Sequence, residues 1–208
     1  FKFPDFGMHH LKNKPLMPLP HPVLHEAQDP FSIIREKDQL LHVPYQSYQS
    51  VINFFERAAR DPQVTHIKVI LYRVGKRSKV LEALMDAVRH GKQVSVFVEI
   101  KARFDEAANL EWGEKLDRAG VRVHYSFPGV KVHSKLALIR RVEDGKPRLY
   151  SYLATGNFHE ETALVYSDFG LFTADPQLTG EVSNVFTFLE NIKSPKHEFE
   201  HLLVGKFN

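Results

Sequence analysis

Apolar and polar positions follow two different periods along the chain, and the changes of period divide it into elements. Tyr48, Val51, Ile52, Phe55, Ala58 and Ala59 recur at the spacing of a helix face, and Asp61-Pro62 ends the pattern. Beyond it, Val64 to Tyr72 predicts a strand, Val80 to Val88 a helix, Gln93 to Ile100 a strand, Asp105 to Ala119 a helix and Val121 to Tyr125 a strand. Such alternation predicts right-handed βαβ units, because a parallel neighbour is reached only through a crossover. The helices then stop. Lys135 to Arg140 and Leu149 to Leu153 flank the turn residues Glu143-Asp144-Gly145 and predict a hairpin. A strand over Ala163 to Phe172 and a closing helix over Pro176 to Asn191 complete the pattern. The expected fold class is α/β, a mixed and largely parallel sheet with helices on both faces. Upstream, prolines at 4, 15, 18, 20, 22 and 30 prevent any sustained helix. Residues 1–30 are expected to be a proline-rich arm or linker, 31–192 the folded domain, and 193–208 the start of a connection to a following domain.

Composition alters this picture little. A chain of 208 residues, 43% of them hydrophobic, can bury a sizeable core. The absence of cysteine removes disulfides and thiolate metal sites and fits a reducing compartment. No apolar run approaches the length of a membrane span, and Phe1 to His10 lacks the apolar run of a secretory signal, so a cytoplasmic location is expected. A formal charge of +3 suits an anionic ligand without requiring one. The chain begins at Phe1 without a methionine and ends on Lys206-Phe207-Asn208, and we expect it to be a piece of something longer.

The candidate nucleophile is His133, in Lys131-Val132-His133-Ser134-Lys135. On a strand, Lys131, His133 and Lys135 would share one face. A cationic wall beside an imidazole attracts a phosphoryl donor and disfavours the imidazolium, leaving a lone pair free for in-line attack. The triplet His-x-Lys is weak alone, since it also occurs at His10, His66 and His90. His10 falls in the arm, and His90 sits with Gly91 at a helix end, where a histidine more often meets terminal carbonyls. His66 is also on a predicted strand. His133 differs in its sequel: an apolar strand, a hairpin, and then Ala154-Thr155-Gly156-Asn157. Glycine there permits close backbone approach, and the Asn157 amide can donate to an anionic oxygen or orient an imidazole. The bland alternative is a partly buried histidine bonded to a neighbour.

Arg73 and Arg103 follow predicted strands, at the carboxyl ends where open α/β sheets bind ligands. Guanidinium groups grip phosphate oxygens with paired hydrogen bonds, and Arg103 also precedes a predicted helix N-terminus. The alternative for Arg103 is a surface ion pair with Asp105 or Glu106. We therefore take His133, Lys135 and Asn157 as candidate catalytic residues, and Arg73, Arg103 and Lys131 as candidate phosphate-binding residues.

The order His-x-Lys, strand, Gly-Asn resembles half of a phospholipase D type active site. Those phosphodiesterases usually carry an aspartate after four further residues, where this chain has Arg140. A more specific resemblance rests on an ordered set: Leu40-Leu41-His42-Val43-Pro44-Tyr45-Gln46-Ser47-Tyr48, Ile67-Lys68-Val69-Ile70-Leu71-Tyr72-Arg73, Lys101-Ala102-Arg103-Phe104-Asp105-Glu106, Lys131 to Lys135, and Thr155-Gly156-Asn157. Over about residues 30 to 175 this set resembles the type 1 polyphosphate kinases. The hexapeptide is its most distinctive member.

The resemblance implies a phospholipase D-like fold and an ATP:polyphosphate phosphotransferase. His133 matches the autophosphorylated histidine, Arg73 and Arg103 the arginines of a magnesium and phosphate site, and Tyr166 a tyrosine that contacts the nucleotide. For Tyr166 a core aromatic on a strand is the alternative. Arginine has no lone pair to give, so Mg²⁺ would be held mainly by phosphate oxygens and water. The implied substrates are ATP, ADP and inorganic polyphosphate. A homo-oligomer is expected for the full-length protein, peripheral membrane association is left open, and no nucleic acid is expected. The opposing half of the site is expected beyond Asn208 and further nucleotide contacts before Phe1, which would leave the isolated chain inactive. Departures from the family are Val69 and Ile70 where threonine is common, Asn157-Phe158-His159-Glu160 in place of Asn-Tyr-Asn-Pro, and the basic loop Gly75-Lys76-Arg77-Ser78-Lys79. The rival readings are a phospholipase D type phosphodiesterase or nuclease, and a non-catalytic polyanion or RNA-binding module.

Overall fold

The computed structural model describes residues 7–14, 16–75, 77–99, 106–126, 131–191 and 198–205. The first helix, α1 (Pro30–Glu36), starts where the Asp29 carboxylate accepts the N–H groups of Phe31 and Ser32, with proline at the first helical position. Strand β1 (Gln39–Val43) and helix α2 (Gln49–Arg60) follow. Then come β2 (Val64–Leu71), α3 (Lys79–Arg89), β3 (Gln93–Val98), α4 (Glu106–Arg118) and β4 (Arg122–Tyr125). The chain closes with the hairpin β5 (Lys135–Glu143) and β6 (Lys146–Ala154), strand β7 (Asp168–Thr173) and helix α5 (Pro176–Glu190). The periodicity gives neither α1 nor β1, because each is too short to display a period. Among the described residues no helix is long and apolar enough to cross a membrane.

The seven strands form one sheet in the order β1-β7-β6-β5-β2-β3-β4. Among the named strands of the described residues, β2 with β3 and β3 with β4 run parallel, joined by the crossover helices α3 and α4. The other neighbours are antiparallel, so the expectation of a largely parallel sheet is corrected to a mixed, mostly antiparallel one. The cause lies after β4, where the connection of nine residues to β5 is shorter than the dozen or so that a parallel crossover takes. Instead Asp144 and Gly145, with φ of 50° and 74°, make the two-residue turn that a right-twisted hairpin favours.

Helices do cover both faces, unequally. Alternation within the strands sends Ile67, Val69 and Leu71 of β2 and Val94, Val96 and Val98 of β3 into the larger core beneath α1 to α4. Ile70, Phe97, Leu136 and Leu138 point the other way, into a smaller core with Val182, Phe186 and Leu189 of α5. Two local expectations also change. The strand expected over Ala163 to Phe172 begins at Asp168, after a 3₁₀ turn at Thr162–Leu164. The strand that was to carry Lys131 and His133 begins only at Lys135, so both precede it, outside any helix or strand.

Candidate active site

The sheet order gathers one set of residues at one edge. β2 and β3 are parallel with Leu71 opposite Val98, so Tyr72, Arg73 and Glu99 leave the sheet together. β5 enters at that edge because it runs antiparallel to β2, with Val69 opposite Ala137. Lys135 pairs with Ala154 at the end of β6, and Ala154 pairs with Gly170 near the start of β7. The loop bearing Lys131 and His133, the turn Thr155-Gly156-Asn157 and Asp168 are thereby brought to the carboxyl ends of β2 and β3.

Tyr72 stands at the middle of this group. The His133 ring meets it edge-on at 4.6 Å between centroids, the Lys135 ammonium lies 4.9 Å from its centroid, and the Arg73 guanidinium carbon lies 5.7 Å away. Lys131 and His133 are exposed and Val132 between them is buried, whereas Lys135 is buried at 4% exposure. Lys131, His133 and Lys135 therefore do not share one open face; Lys135 turns inward and its Nζ donates to the His133 carbonyl at 2.5 Å. Burial lowers the Lys135 ammonium to a pKa of about 8, with Asp168 opposing the shift and Arg73 adding to it. Partial burial, then Lys135, Lys131 and Arg73, hold His133 below the ordinary histidine value. The result is an accessible imidazole biased to its neutral form beside three cations, the state a nucleophile toward a phosphoryl group needs.

Asp168 was given no role from the sequence, yet it faces Lys135 electrostatically. Its Oδ1 accepts from the Thr155 hydroxyl at 2.8 Å. A Cβ on Gly156 would lie 2.7 Å from Asp168 Oδ2, so only glycine lets the turn approach this carboxylate. Asn157 is half-buried, with Oδ1 left without a protein donor, and it lines a small cavity with Tyr48, Tyr152, Asp168 and Gly170. Glu99 was also missed. It is fully buried, and its Oε2 accepts the Val132 N–H at 2.8 Å. A signal for it existed: a carboxylate in the apolar run Val96-Phe97-Val98-Glu99-Ile100.

The remaining candidates scatter. Arg103 lies outside the described residues, as do the first five residues of its hexapeptide, Lys101 to Asp105. Tyr166 is not a core aromatic, being 63% exposed in the turn before β7. His66 stands at the opposite end of β2, and the His90 Nδ1 meets the Asp86 carbonyl at 2.9 Å at the end of α3. His10 lies in a 3₁₀ turn near the start of the chain. Among the described residues there is no group of three or more His, Asp or Glu side chains placed to hold a metal ion.

Comparison with known proteins gives this edge a context. Residues 29–195 match the family described as "Polyphosphate kinase C-terminal domain 1". A polyphosphate kinase of Vibrio vulnificus (strain YJ016) is 46% identical over 207 residues, 99% of this chain but 29% of that protein. The chain thus spans less than a third of that relative's length. The crystal structure of polyphosphate kinase from Porphyromonas gingivalis matches with a TM-score of 0.83 at 41% identity, covering 96% of this chain and 33% of that one. Nuc from Salmonella typhimurium, a phospholipase D family member, matches with a TM-score of 0.58 at 15% identity, covering 74% of this chain and 94% of its own. At that identity the likeness is one of fold alone, and the fold is phospholipase D-like. With the family matched over most of its length and the architecture shared with a solved kinase, the chain belongs to the polyphosphate kinase C-terminal domain 1 family.

Proposed function

We propose that the chain supplies the histidine-bearing part of a polyphosphate kinase active site, in which His133 carries a phosphoryl group between ATP and inorganic polyphosphate. The observation that supports it most is the accessible imidazole at the sheet edge, held below its ordinary pKa by burial and by Lys135, Lys131 and Arg73. In the first step a ring nitrogen of His133 attacks the γ-phosphorus of ATP, the N–P bond forming as the bond to the ADP oxygen breaks. In the second, a terminal polyphosphate oxygen attacks the same phosphorus, the new P–O bond forming as the N–P bond breaks and the imidazole is freed. Two in-line transfers conserve the energy of the bond, so the reaction runs in both directions.

Positioning and charge neutralisation dominate phosphoryl transfer. Arg73 and Lys131 offer donors to the phosphate oxygens. Lys135 fixes the loop through the His133 carbonyl and adds charge beneath it. We assign Arg103 the role of a second phosphate clamp, Asn157 that of an amide oriented toward a phosphate oxygen or the imidazole, and Tyr166 that of a nucleotide contact. Magnesium would enter as a companion of the triphosphate, supplying charge neutralisation while Arg73 and Lys131 meet the remaining phosphate oxygens. Because the chain spans only 29% of the V. vulnificus relative, we assign the rest of the site to other parts of the full-length enzyme.

The test is labelling of the full-length gene product with γ-labelled ATP. We expect an acid-labile phosphoenzyme that His133→Ala abolishes and that His66→Ala and His90→Ala retain. Undiminished labelling of His133→Ala would end this reading. A phosphodiesterase of the phospholipase D type would instead cleave diester substrates without taking label from ATP.

A further inference from the structure

Nothing in the sheet ladder holds the backbone that presents His133. The ladder of β5 starts at Lys135, and Lys131 to Ser134 just before it belong to no helix or strand. The ring itself touches Tyr72 by its edge at 4.6 Å. Two buried charged side chains bracket the loop instead. Lys135 Nζ donates to the His133 carbonyl at 2.5 Å, and Glu99 Oε2 accepts the Val132 N–H at 2.8 Å. Val132 is 8% exposed and sits in the smaller core with Ile70, Phe97 and Leu136. The residue next to the nucleophile is thus anchored by its side chain in that core and by its amide on Glu99.

Glu99 is itself rigidly held. Its N–H donates to the Leu71 carbonyl at 2.9 Å, continuing the β2–β3 ladder past Val98. Its carbonyl accepts the Asn109 side-chain amide at 3.0 Å, and the same amide reaches the Tyr72 carbonyl at 2.8 Å. Asn109 of α4 therefore ties together the ends of β2 and β3, and with them the backbone just before Arg73 and the carboxylate that grips Val132. A fully buried carboxylate is costly to keep, and a hydrophobic residue would fill the space without that cost. Its retention here needs a reason beyond packing.

We infer that Glu99 is a positioning residue for phosphoryl transfer: its carboxylate fixes the Val132 amide and so sets where His133 stands relative to Tyr72 and Arg73. The inference rests on the reading of His133 as the phosphorylated residue. It requires reach and an acceptor oxygen, not merely bulk. Glutamine keeps both. Aspartate is one methylene short, and leucine has no acceptor.

The experiment compares Glu99→Gln, Glu99→Asp and Glu99→Leu in the full-length gene product, with thermal unfolding establishing the folded fraction of each. Hydrogen exchange of the Val132 amide is followed beside the rate of phosphoenzyme formation as a function of ATP. Because a displacement of about 1 Å costs about 100-fold in rate, Glu99→Asp and Glu99→Leu are expected to lose about 100-fold in kcat per folded molecule, with the ATP KM changing by less than about threefold. Both should exchange the Val132 amide faster than wild type, and Glu99→Gln should restore protection and most of the turnover. A role in folding alone would lower the unfolding temperature and leave kcat per folded molecule unchanged, which overturns the inference. So would unaltered Val132 exchange in Glu99→Asp. If the wild-type protein takes no label from ATP, the proposed function falls, and the exchange measurement alone then decides whether Glu99 holds the loop.

Discussion

Replacing Gly156 with alanine probes how closely the Gly-Asn turn must approach Asp168. The new Cβ would stand 2.7 Å from Asp168 Oδ2, 2.8 Å from its Cγ and 2.9 Å from its Cβ. Unbonded carbon atoms rest at about 3.5 to 4.0 Å. Since the Asp168 Cβ is one of the three, swinging the carboxylate away does not relieve the overlap, and the turn or the start of β7 must shift. Overpacking of this kind costs about 1 to 3 kcal/mol. Breaking the bond from the Thr155 hydroxyl to Asp168 adds about 1 kcal/mol. For a chain of this size each kcal/mol lowers the melting temperature by about 2 to 4 °C, so a fall of about 4 to 16 °C is expected by calorimetry. Displacing Asp168 also removes the attraction that opposes deprotonation of Lys135, whose pKa should drop below about 8. Phosphoenzyme formation should then decline at a lower pH than in wild type. The double variant Gly156→Ala with Asp168→Gly reopens the space and should recover most of the stability. An unchanged melting temperature in Gly156→Ala would refute the steric argument, and an unchanged pH profile would refute the coupling to Lys135.

Three further outcomes are expected. Lys135 has a pKa of about 8 in the fold against 10.5 ordinarily, so the unfolded chain binds the proton more tightly and stability rises from pH 8 toward 10.5, while labelling of His133 falls above about pH 8 as the ammonium is lost; Lys135→Arg should remove that limb. Arg73→Lys keeps the charge but loses the two-point grip on phosphate, and should cut turnover strongly with a stability change within about 1 kcal/mol, measured by steady-state kinetics and thermal melting. Burial alone would raise the Glu181 carboxyl, but the N–H groups of Glu200, His201 and Leu202 and the His201 ring hold it at about 2; the protection that it gives residues 198–205 should be full above pH 4.5 and vanish as pH falls toward 2, and Glu181→Gln should show the same loss by hydrogen exchange at neutral pH.

Much of this protein was legible without coordinates, for reasons that are local. The periods of Val64 to Val98 fix strand, helix and strand because side-chain direction repeats every two or every 3.6 residues whatever the rest of the chain does. The turn at Glu143-Asp144-Gly145 follows from backbone torsion preferences alone. The set of motifs from Leu40 to Asn157 likewise named the family before any geometry was known. What the sequence did not determine is which strand lies beside which. Periodicity is indifferent to pairing direction, so it did not reveal that β5, β6, β7 and β1 return antiparallel, nor that β1 closes the far edge. That choice decides the site. Only because β5 runs against β2 does His133 arrive beside Tyr72 and Arg73, and only because β7 pairs with β6 does Asp168 face Lys135 from 33 residues away. Glu99 shows the limit at a single residue: the sequence displays a charge in an apolar run, but what that charge grips, the Val132 amide, is set by the packing of two strand ends and a loop.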